Sequence, residues 1–324
     1  MMCKPKILVT RKWPEAVEGK LSELFEPVFN KNDRPLDEVT MRSALIECDA
    51  LLPTVTDRIG SSVFEVSRPK AKIIGNYGTG YSHINIEAAR DKGIVVTNTP
   101  DVLSECTADI AMTLMLMLAR RAGEGERELR SGNWDGWRPT HMLGRKLSGK
   151  VLGIIGFGRI GRETARRAHF GFGMKIVVQN RSPVEKEVLK FFEAQQVDHI
   201  DDVLTQADFV SLHCPGGEEN RHLINASRLN KMKPDAYLIN TARGEVVDEE
   251  ALAQALWFET IGGAGLDVFE GEPKVRDSLL ACENAVLLPH LGSATREARE
   301  AMGFRVIDNL VAFFEGREPN DRVI

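Results

Sequence analysis

The chain has 324 residues, of which 43% are hydrophobic and 27% are charged, a composition typical of a globular protein with about two domains. Its formal net charge of −5 argues against a nucleic-acid partner and against binding to an anionic membrane surface. The five scattered cysteines form no CxxC pair, which argues against a disulfide framework and a zinc site, so no metal is expected.

The N-terminal segment "MMCKPKILVT" has too short an apolar run for a signal peptide and is predicted to contain the first strand. The longest apolar stretch, Ile110–Ala119, has about half the length that a membrane span needs, and it predicts a buried helix. We therefore expect a cytoplasmic protein without a membrane partner.

Short β-rich runs alternate with amphipathic helix patterns from one end of the chain to the other. The first series of predicted strands is Lys6–Thr10, Pro27–Asn30, Ala50–Pro53, Lys72–Gly75 and Ile94–Asn98. The second series is Val151–Phe157, Lys175–Gln179, Phe209–Cys214, Ala236–Asn240, Gly263–Val268 and Ala285–Leu288. This alternation predicts an α/β fold with two doubly wound parallel sheets, each with helices on both faces.

The boundary between the domains is predicted after Asn98, just before the long helix pattern Leu103–Arg121. The last helix pattern, Thr295–Glu315, is long enough to return to the first sheet. We therefore expect a discontinuous first domain of residues 1–99 and 291–324, and a second domain of residues 100–290. The stretch 123–149 shows no strand pattern and carries two tryptophans, which favours a dimerisation arm over the alternative of a surface loop.

A dinucleotide fingerprint follows the first strand of the second series, in "VLGIIGFGRIGRETARRA". Gly156 permits a tight turn, Gly158 lets the backbone approach a pyrophosphate, and Gly161 allows the helix to pack closely on the strand. Arg159 and Ile160 begin the helix, whose N-terminal N–H groups and positive dipole end favour phosphate. Glycines used only for packing are the alternative.

The next strand ends in "QNRSP", about 20 residues after the glycines, where an NAD site usually carries an acid for the ribose 2′-OH. Asn180 removes the repulsion toward a 2′-phosphate, while Arg181 and Ser182 offer donors to it. A charge-assisted hydrogen bond is worth about 1.5–3 kcal/mol, which predicts a preference on the order of 10- to 100-fold for NADP(H), with NAD(H) possible. The alternative is that Arg181 is a solvated surface charge.

Three further loops carry reactive residues directly after predicted strands: "LINTARGEVVDEEAL" with Arg243, "GLDVFEGEP" with Glu272, and "LLPHLGSAT" with His290. Residues just past the carboxyl ends of parallel strands line the ligand crevice of an open sheet, so these three side chains can converge. Taken alone, each has an ordinary structural explanation. His213 and Cys214 are not expected to form a nucleophilic pair, because neighbours in a strand point to opposite faces.

Six motifs together resemble the D-isomer-specific 2-hydroxyacid dehydrogenase family: "NYGTGYSHIN", "TADIAMTLML", "GFGRIG", "NTARGEVVDE", "GLDVFEGEP" and "PHLGSAT". Within the family, the "NRS" strand end and "WDGWRPTHMLGRKLSGK" look most like the glyoxylate/hydroxypyruvate reductases. The resemblance implies a Rossmann nucleotide-binding domain at residues 100–290 and a flavodoxin-like substrate (lid) domain at residues 1–99 and 291–324. It also implies NADPH-dependent reduction of glyoxylate to glycolate and of hydroxypyruvate to D-glycerate, and a homodimer. It covers essentially the whole chain.

The resemblance also implies roles for individual residues. His290 would exchange a proton with the substrate oxygen, Glu272 would pair with His290 and favour its imidazolium, and Arg243 would bind the 2-oxo acid. Asp267 would hold the nicotinamide carboxamide. Other residues expected to border the cofactor are Thr107, Cys214, Pro215, Thr241, Ala242 and Gly292. Other residues expected to contact substrate are Thr79, Gly80, Ser293 and His141, the last in the active site of a neighbouring subunit.

Two positions depart from the family pattern: "GGEENRHLI" follows Pro215 where Leu and Thr are common, and Thr79 stands where an apolar residue is common. An NAD-linked enzyme such as a phosphoglycerate dehydrogenase is the alternative within the family, and the Arg181 strand end argues against it. A dinucleotide-sensing scaffold like the C-terminal-binding-protein corepressors is the alternative of another class. The absence of a basic nuclear-targeting cluster argues against that scaffold.

Overall fold

The computed structural model describes residues 4–324 and divides into two compact units. The first unit is Met1–Leu103 together with Ala294–Ile324, and the second is Ser104–Ser293. The sequence-based prediction placed these divisions after residues 99 and 290. Cys3 lies outside the described residues; the described cysteines, Cys48, Cys106, Cys214 and Cys282, are free thiols.

Twelve strands and twelve α-helices alternate along the described chain. The strands are β1 Lys6–Val9, β2 Glu26–Phe29, β3 Ala50–Leu52, β4 Ile73–Gly75, β5 Val95–Thr97, β6 Val151–Ile155, β7 Lys175–Gln179, β8 Gln195–Val197, β9 Phe209–Leu212, β10 Tyr237–Asn240, β11 Gly263–Leu266 and β12 Ala285–Leu287. The helices are α1 Glu15–Leu24, α2 Glu38–Glu47, α3 Ile86–Asp91, α4 Ser104–Ala119, α5 Ala122–Arg130, α6 Arg159–Arg166, α7 Lys186–Phe191, α8 Ile200–Gln206, α9 Ala226–Leu229, α10 Glu249–Trp257, α11 Asp277–Leu280 and α12 Arg296–Phe314.

The predicted two-sheet α/β fold is confirmed. The first unit holds a five-stranded parallel sheet in the order β2-β1-β3-β4-β5, and the second holds a seven-stranded parallel sheet in the order β12-β11-β10-β9-β6-β7-β8. The one strand that the sequence analysis missed is the edge strand β8. Its three residues, two of them glutamines, carry neither the apolar run nor the alternation by which strands are recognised.

The long helix α12 packs against the sheet of the first unit. At Gly75 in β4, a Cβ atom would lie 2.8 Å from the Val306 side chain, and at Gly303 in α12 a Cβ atom would lie 2.5 Å from Val17 of α1. Glycine at both positions therefore allows α12 to approach the strand and its neighbouring helix. The buried side chains around this contact include Ile73, Leu52 and Leu310.

In the second unit, apolar side chains cover both faces of the sheet. One core contains Leu204, Leu229 and Leu252 of helices α8, α9 and α10, and the other contains Leu114 of α4 and Ala165 of α6. Complete burial of a Leu or Ile side chain stabilises a fold by about 1.5–3 kcal/mol, so these two cores fix the strand ends that carry the polar loops. Among residues 4–324, no helix has the length and apolar character needed to span a bilayer.

Candidate active site

The glycine loop joins β6 to α6 in the second unit. Gly156 has a left-handed backbone, with φ +93°, and a Cβ atom there would lie 2.6 Å from the backbone nitrogen of Cys214. A Cβ atom at Gly161 would collide with the carbonyl oxygen of Gly156. The fold therefore requires glycine at both positions. A side chain at Gly156 would collide with the backbone that follows β9, and a side chain at Gly161 would prevent α6 from packing on the turn.

Gly158 is different, since a Cβ atom there would meet nothing within 4 Å in the described chain. It occupies the N-cap position of α6, and no side chain caps the helix. The N-terminus of the helix carries the positive end of its dipole, which favours an anion at this end. Open space above Gly158 and an uncapped helix end fit the pyrophosphate of a dinucleotide.

Asn180 follows β7 and holds the glycine loop in place. Its Oδ1 accepts a hydrogen bond from the Phe157 N–H at 3.0 Å, and its Nδ2 donates one to the Ser182 carbonyl at 2.9 Å. A carboxylate could accept the first bond but could not donate the second. The sequence analysis treated Asn180 only as the neutral replacement of an acid and missed this bridging role.

The guanidinium of Arg181 forms an ion pair with Glu219 at 3.2 Å, and 82% of the Arg181 side chain is exposed. Glu219 lies in a short 3₁₀ helix, Glu218–Asn220, in the loop after β9. Asn220 Nδ2 donates a hydrogen bond to the Pro215 carbonyl at 3.0 Å and closes this loop. The donor that was predicted to meet a 2′-phosphate therefore lies on the surface beside a carboxylate.

His290 and Glu272 form the central pair of the site. The Nδ1 atom of His290 lies 2.8 Å from Oε2 of Glu272, and Oε1 of Glu272 accepts a hydrogen bond from the Phe269 N–H at 2.9 Å. Each side chain of the pair is 30% exposed. Because an ionised carboxylate only accepts hydrogen bonds, the imidazole proton lies on Nδ1, and Nε2 is the nitrogen that can exchange a proton with a ligand.

The pKa of Glu272 reflects two opposing influences. Burial raises it, whereas the hydrogen bond from His290, the charge of its imidazolium and the Phe269 N–H lower it. The second group of effects prevails, and the pKa of Glu272 lies below its ordinary value. Glu272 is therefore a carboxylate at neutral pH, as the imidazolium form of His290 requires.

Asp267 follows β11 and holds the loop that carries His290. Its two carboxylate oxygens accept hydrogen bonds from the N–H groups of Leu291 at 2.6 Å and Gly292 at 2.7 Å. The Gly292 carbonyl in turn accepts a bond from Thr107 Oγ1 at 3.1 Å. Only 1% of Asp267 is exposed, and burial raises its pKa against the effect of the two N–H groups. Ser293 follows Gly292 as the last residue of the second unit.

Arg243 follows β10, and its side chain is half-buried. Burial lowers its pKa, while the negative charges of Glu245 and Glu272 oppose that effect. Its Nη1 donates a hydrogen bond to the Ala242 carbonyl at 2.6 Å, and within residues 4–324 no carboxylate forms an ion pair with it. A half-buried guanidinium without an ion-pair partner can bind the carboxylate of a ligand. The neighbouring Thr241 is buried, and its hydroxyl has no partner among the described residues.

Gly244 sets the distance between the loops after β10 and β11. A Cβ atom there would collide with the backbone of Phe269 and Glu270. The backbone N–H of Glu270 donates a hydrogen bond of 2.6 Å to Glu249, a buried carboxylate at the start of α10. The loop that carries Glu272 is thus fixed from two sides, a function of Glu249 that the sequence analysis did not find.

Cys214 and His213 are unsuited to nucleophilic chemistry. Burial raises the pKa of Cys214 to about 11, so that its thiol stays protonated. Burial lowers the pKa of His213 to about 3, and its Nε2 lies 2.9 Å from Ser211 Oγ rather than near the thiol. Both side chains are therefore uncharged at neutral pH, and the imidazole is engaged with Ser211.

In the first unit, Thr79 and Gly80 belong to a loop that follows β4. Thr79 Oγ1 donates to the Thr99 carbonyl at 2.9 Å, and the carbonyls of Thr79 and Gly80 accept the side-chain amides of Asn98 and Asn76. The N–H groups of Thr79 and Gly80 donate to no backbone carbonyl among residues 4–324. The hydrogen bonds from the two asparagine side chains hold the loop in a conformation in which these N–H groups can bind an anion.

His141 lies in the predicted arm, 123–149, which contains most of α5 and no strand. Its Nε2 lies 3.0 Å from both carboxylate oxygens of Glu128 in α5. Trp134 and Trp137 are exposed, at 50% and 82%. Within one chain His141 is therefore fixed to its own arm.

The comparisons with known proteins agree with this geometry. Residues 112–292 match the model of the D-isomer specific 2-hydroxyacid dehydrogenase NAD binding domain. The chain is 45% identical to a glyoxylate reductase from Thermococcus litoralis over 324 residues, which cover 99% of this chain and 97% of the relative. It is 44% identical to a glyoxylate reductase from Pyrococcus furiosus over 98% of this chain and 94% of the relative.

A solved structure with the same fold is the NADPH-dependent glyoxylate/hydroxypyruvate reductase from Sinorhizobium meliloti in complex with NADP and malonate. It superimposes with a TM-score of 0.88 at 35% identity and covers 99% of this chain and 97% of its own. A glyoxylate reductase from Paecilomyes thermophila gives a TM-score of 0.85 at 32% identity over 100% of this chain and 99% of its own.

Proposed function

The chain belongs to the D-isomer specific 2-hydroxyacid dehydrogenase family, and from this premise we propose that it is an NADPH-dependent reductase of glyoxylate and hydroxypyruvate. Family membership makes it an NAD(P)-dependent oxidoreductase that interconverts small 2-oxo and 2-hydroxy acids. The narrower substrates agree with the names of its relatives from Thermococcus and Sinorhizobium. The proposal depends mainly on one observation. His290 and Glu272 form a hydrogen-bonded pair, and Arg243, which lies near enough to be influenced by the charge of Glu272, forms no ion pair among residues 4–324.

Reduction needs a proton donor at the carbonyl oxygen of the substrate. The nicotinamide, when bound, supplies a hydride to the carbonyl carbon. As negative charge develops on the oxygen, Nε2 of His290 donates its proton to it, and the carboxylate of Glu272 stabilises the imidazolium beforehand. In the reverse direction the neutral imidazole removes the proton of the 2-hydroxyl group.

We assign Arg243 to the carboxylate and carbonyl oxygens of the 2-oxo acid, because a guanidinium can donate two parallel hydrogen bonds. In the first unit, we assign the N–H groups of Thr79 and Gly80 to the substrate carboxylate. Ser293 and, from a second subunit, His141 complete the proposed substrate residues. A homodimer built through the arm 123–149 is part of the same proposal.

The dinucleotide would be held at the glycine loop and at the end of β7. We assign the N–H groups at Gly158, Arg159 and Ile160 to the pyrophosphate, and Arg181 with Ser182 to the 2′-phosphate. The remaining cofactor contacts that we propose are Thr107, Gly156, Gly161, Asn180, Cys214, Pro215, Thr241, Ala242, Asp267 and Gly292. Asp267 would act mainly by holding the loop of Leu291 and Gly292 beside the nicotinamide.

An assay of products tests this function directly. With NADPH in excess, glyoxylate should yield glycolate, and hydroxypyruvate should yield D-glycerate, at a turnover of at least about 1 s⁻¹. Formation of L-glycerate would contradict the proposed stereochemistry. Binding of dinucleotide without turnover of either acid would instead favour the corepressor-like scaffold.

A further inference from the structure

The ion pair between Arg181 and Glu219 bears on cofactor choice, and the inference drawn from it rests on the proposed NADPH preference. Nη1 of Arg181 lies 3.2 Å from Oε1 and 3.3 Å from Oε2 of Glu219. The Glu219 side chain is 62% exposed, somewhat less than its partner. Both charged groups are therefore accessible to a ligand that approaches the end of β7.

The backbone around Glu219 is held by hydrogen bonds from two directions. The Gly217 N–H donates to Oε1 of Glu245 at 3.3 Å, and the Asn220 N–H donates to the Gly217 carbonyl at 3.0 Å. The Asn220 side chain is bound to the Pro215 carbonyl. The position of Glu219 beside Arg181 therefore follows from the conformation of its loop and not only from the ion pair itself.

We propose that Glu219 determines cofactor specificity together with Arg181 and lowers the NADPH preference that Arg181 confers. A 2′-phosphate carries a charge of about −1.5 to −2 at neutral pH, like other phosphate monoesters. A phosphate oxygen that binds Nη1 of Arg181 competes with the Glu219 carboxylate for its N–H groups and remains close to the negative charge of that carboxylate. Glu219 thus opposes NADPH both as a competitor for the cation and as a like charge.

The same carboxylate favours NADH. In NAD sites an acid at the end of the second strand accepts a hydrogen bond from the ribose 2′-OH, and here that position is Asn180, whose amide holds Phe157 and Ser182. Glu219 provides an acid from the loop after β9, next to Arg181 at the strand end. Arg181 therefore offers a cation to the 2′-phosphate of NADPH, and Glu219 offers a hydrogen-bond acceptor to the ribose 2′-OH of NADH.

The test compares Glu219→Gln with Glu218→Gln, which makes the same change of charge one residue away. Glu218 is exposed and forms no ion pair among the described residues. Dissociation constants are measured by fluorescence titration for NADPH and NADH, and by calorimetry for 2′,5′-ADP, which carries the 2′-phosphate without the nicotinamide. The measurements are repeated at low and high salt.

In Glu219→Gln we expect binding of NADPH and of 2′,5′-ADP to tighten by about 3- to 10-fold, with NADH unchanged or weaker by up to about threefold. The gain should shrink at high salt, because both groups are exposed and screened. Glu218→Gln should change the three constants by less than about twofold. Equal effects of the two substitutions, or equal effects on NADPH and NADH, would overturn the inference.

Arg181→Ala separates this inference from the proposed preference. If Arg181→Ala lowers the NADPH/NADH affinity ratio while Glu219→Gln leaves it unchanged, the role of Glu219 is wrong and the NADPH proposal stands. If Arg181→Ala leaves the ratio unchanged, both are wrong.

Discussion

Oε2 of Glu272 and Nδ1 of His290 lie 2.8 Å apart, although 18 residues and the strand β12 separate them in the chain. Each partner is held by a further contact of its own loop. The Phe269 N–H binds the other oxygen of Glu272, and Asp267 binds the backbone just after His290. The pair is therefore positioned before any substrate arrives, which is the condition for efficient proton transfer.

Substitution of His290 by Gln should lower kcat for 2-oxo acid reduction by about 10²- to 10⁴-fold, because the proton donor to the developing alkoxide is lost. The affinity for NADPH should change by less than about threefold, since His290 makes no proposed contact to the adenosine or the phosphates. Steady-state kinetics and a fluorescence titration measure the two quantities. An activity within tenfold of wild type would mean that another group donates the proton.

Glu272→Gln should weaken proton donation by His290. The carboxylate accepts the hydrogen bond from Nδ1 and stabilises positive charge on the ring, which a neutral amide does far less well. We therefore expect kcat for reduction to fall by about 10- to 100-fold, with the affinity for NADPH changed by less than about threefold. Steady-state kinetics and a fluorescence titration measure the two quantities, and an unchanged kcat would show that the carboxylate does not act on the proton transfer.

The stability of the same variant provides the control. The folded-state pKa of Glu272 lies below its ordinary value of 4.5, so its ionisation contributes stability above that value, and the contribution is lost as the pH falls through the lowered pKa. The free energy of unfolding of wild type should therefore decline relative to Glu272→Gln as the pH is lowered through this range. A parallel decline in both proteins would mean that the pair does not stabilise the fold.

Arg243→Lys should retain a positive charge and lose the planar fork of donors. We expect kcat/KM for glyoxylate to fall by about 10- to 100-fold in Arg243→Lys, and further in Arg243→Ala. Cofactor affinity serves as the control and should be nearly constant in both variants. Wild-type kcat/KM in Arg243→Lys would show that the guanidinium contributes only its charge.

Alanine at two positions of the glycine loop should separate folding from cofactor binding. Gly161→Ala collides with the Gly156 carbonyl and should destabilise the protein by about 1–3 kcal/mol, whereas Gly158→Ala meets nothing and should leave Tm unchanged. Gly158→Ala should nevertheless weaken binding of both NADPH and NADH by at least about tenfold, because the added methyl group occupies the space assigned to the pyrophosphate. Thermal unfolding and fluorescence titration measure the two effects, and unchanged binding in Gly158→Ala would exclude this position from the cofactor site.

Periodicity and glycine spacing were sufficient to predict the two-sheet fold, because buried parallel strands such as β7 are continuous apolar runs and strands are followed at once by their turn residues. They could not predict β8, whose stability comes from pairing with β7 rather than from its own residues. They also placed Glu272 and His290 in neighbouring loops, since residues after parallel strands share one edge of the sheet.

The side-chain contacts of those loops were beyond prediction from sequence. Asn180 binds Phe157 across 23 residues, and Arg181 binds Glu219 across 38, because two separate loops happen to end side by side. Glu249 looks like an ordinary acid in the first turn of a helix, yet it is buried and accepts the Glu270 N–H. Local sequence patterns contain no information about contacts between residues so far apart in the chain.

The most direct test of the account is kcat/KM for glyoxylate and hydroxypyruvate, each with NADPH and with NADH, in wild type and in Arg181→Ala. We predict that NADPH is preferred by at least about tenfold, and that Arg181→Ala abolishes this preference while retaining turnover with NADH. Equal or better use of NADH by the wild-type enzyme would contradict the proposed cofactor preference and favour an NAD-linked 2-hydroxyacid dehydrogenase.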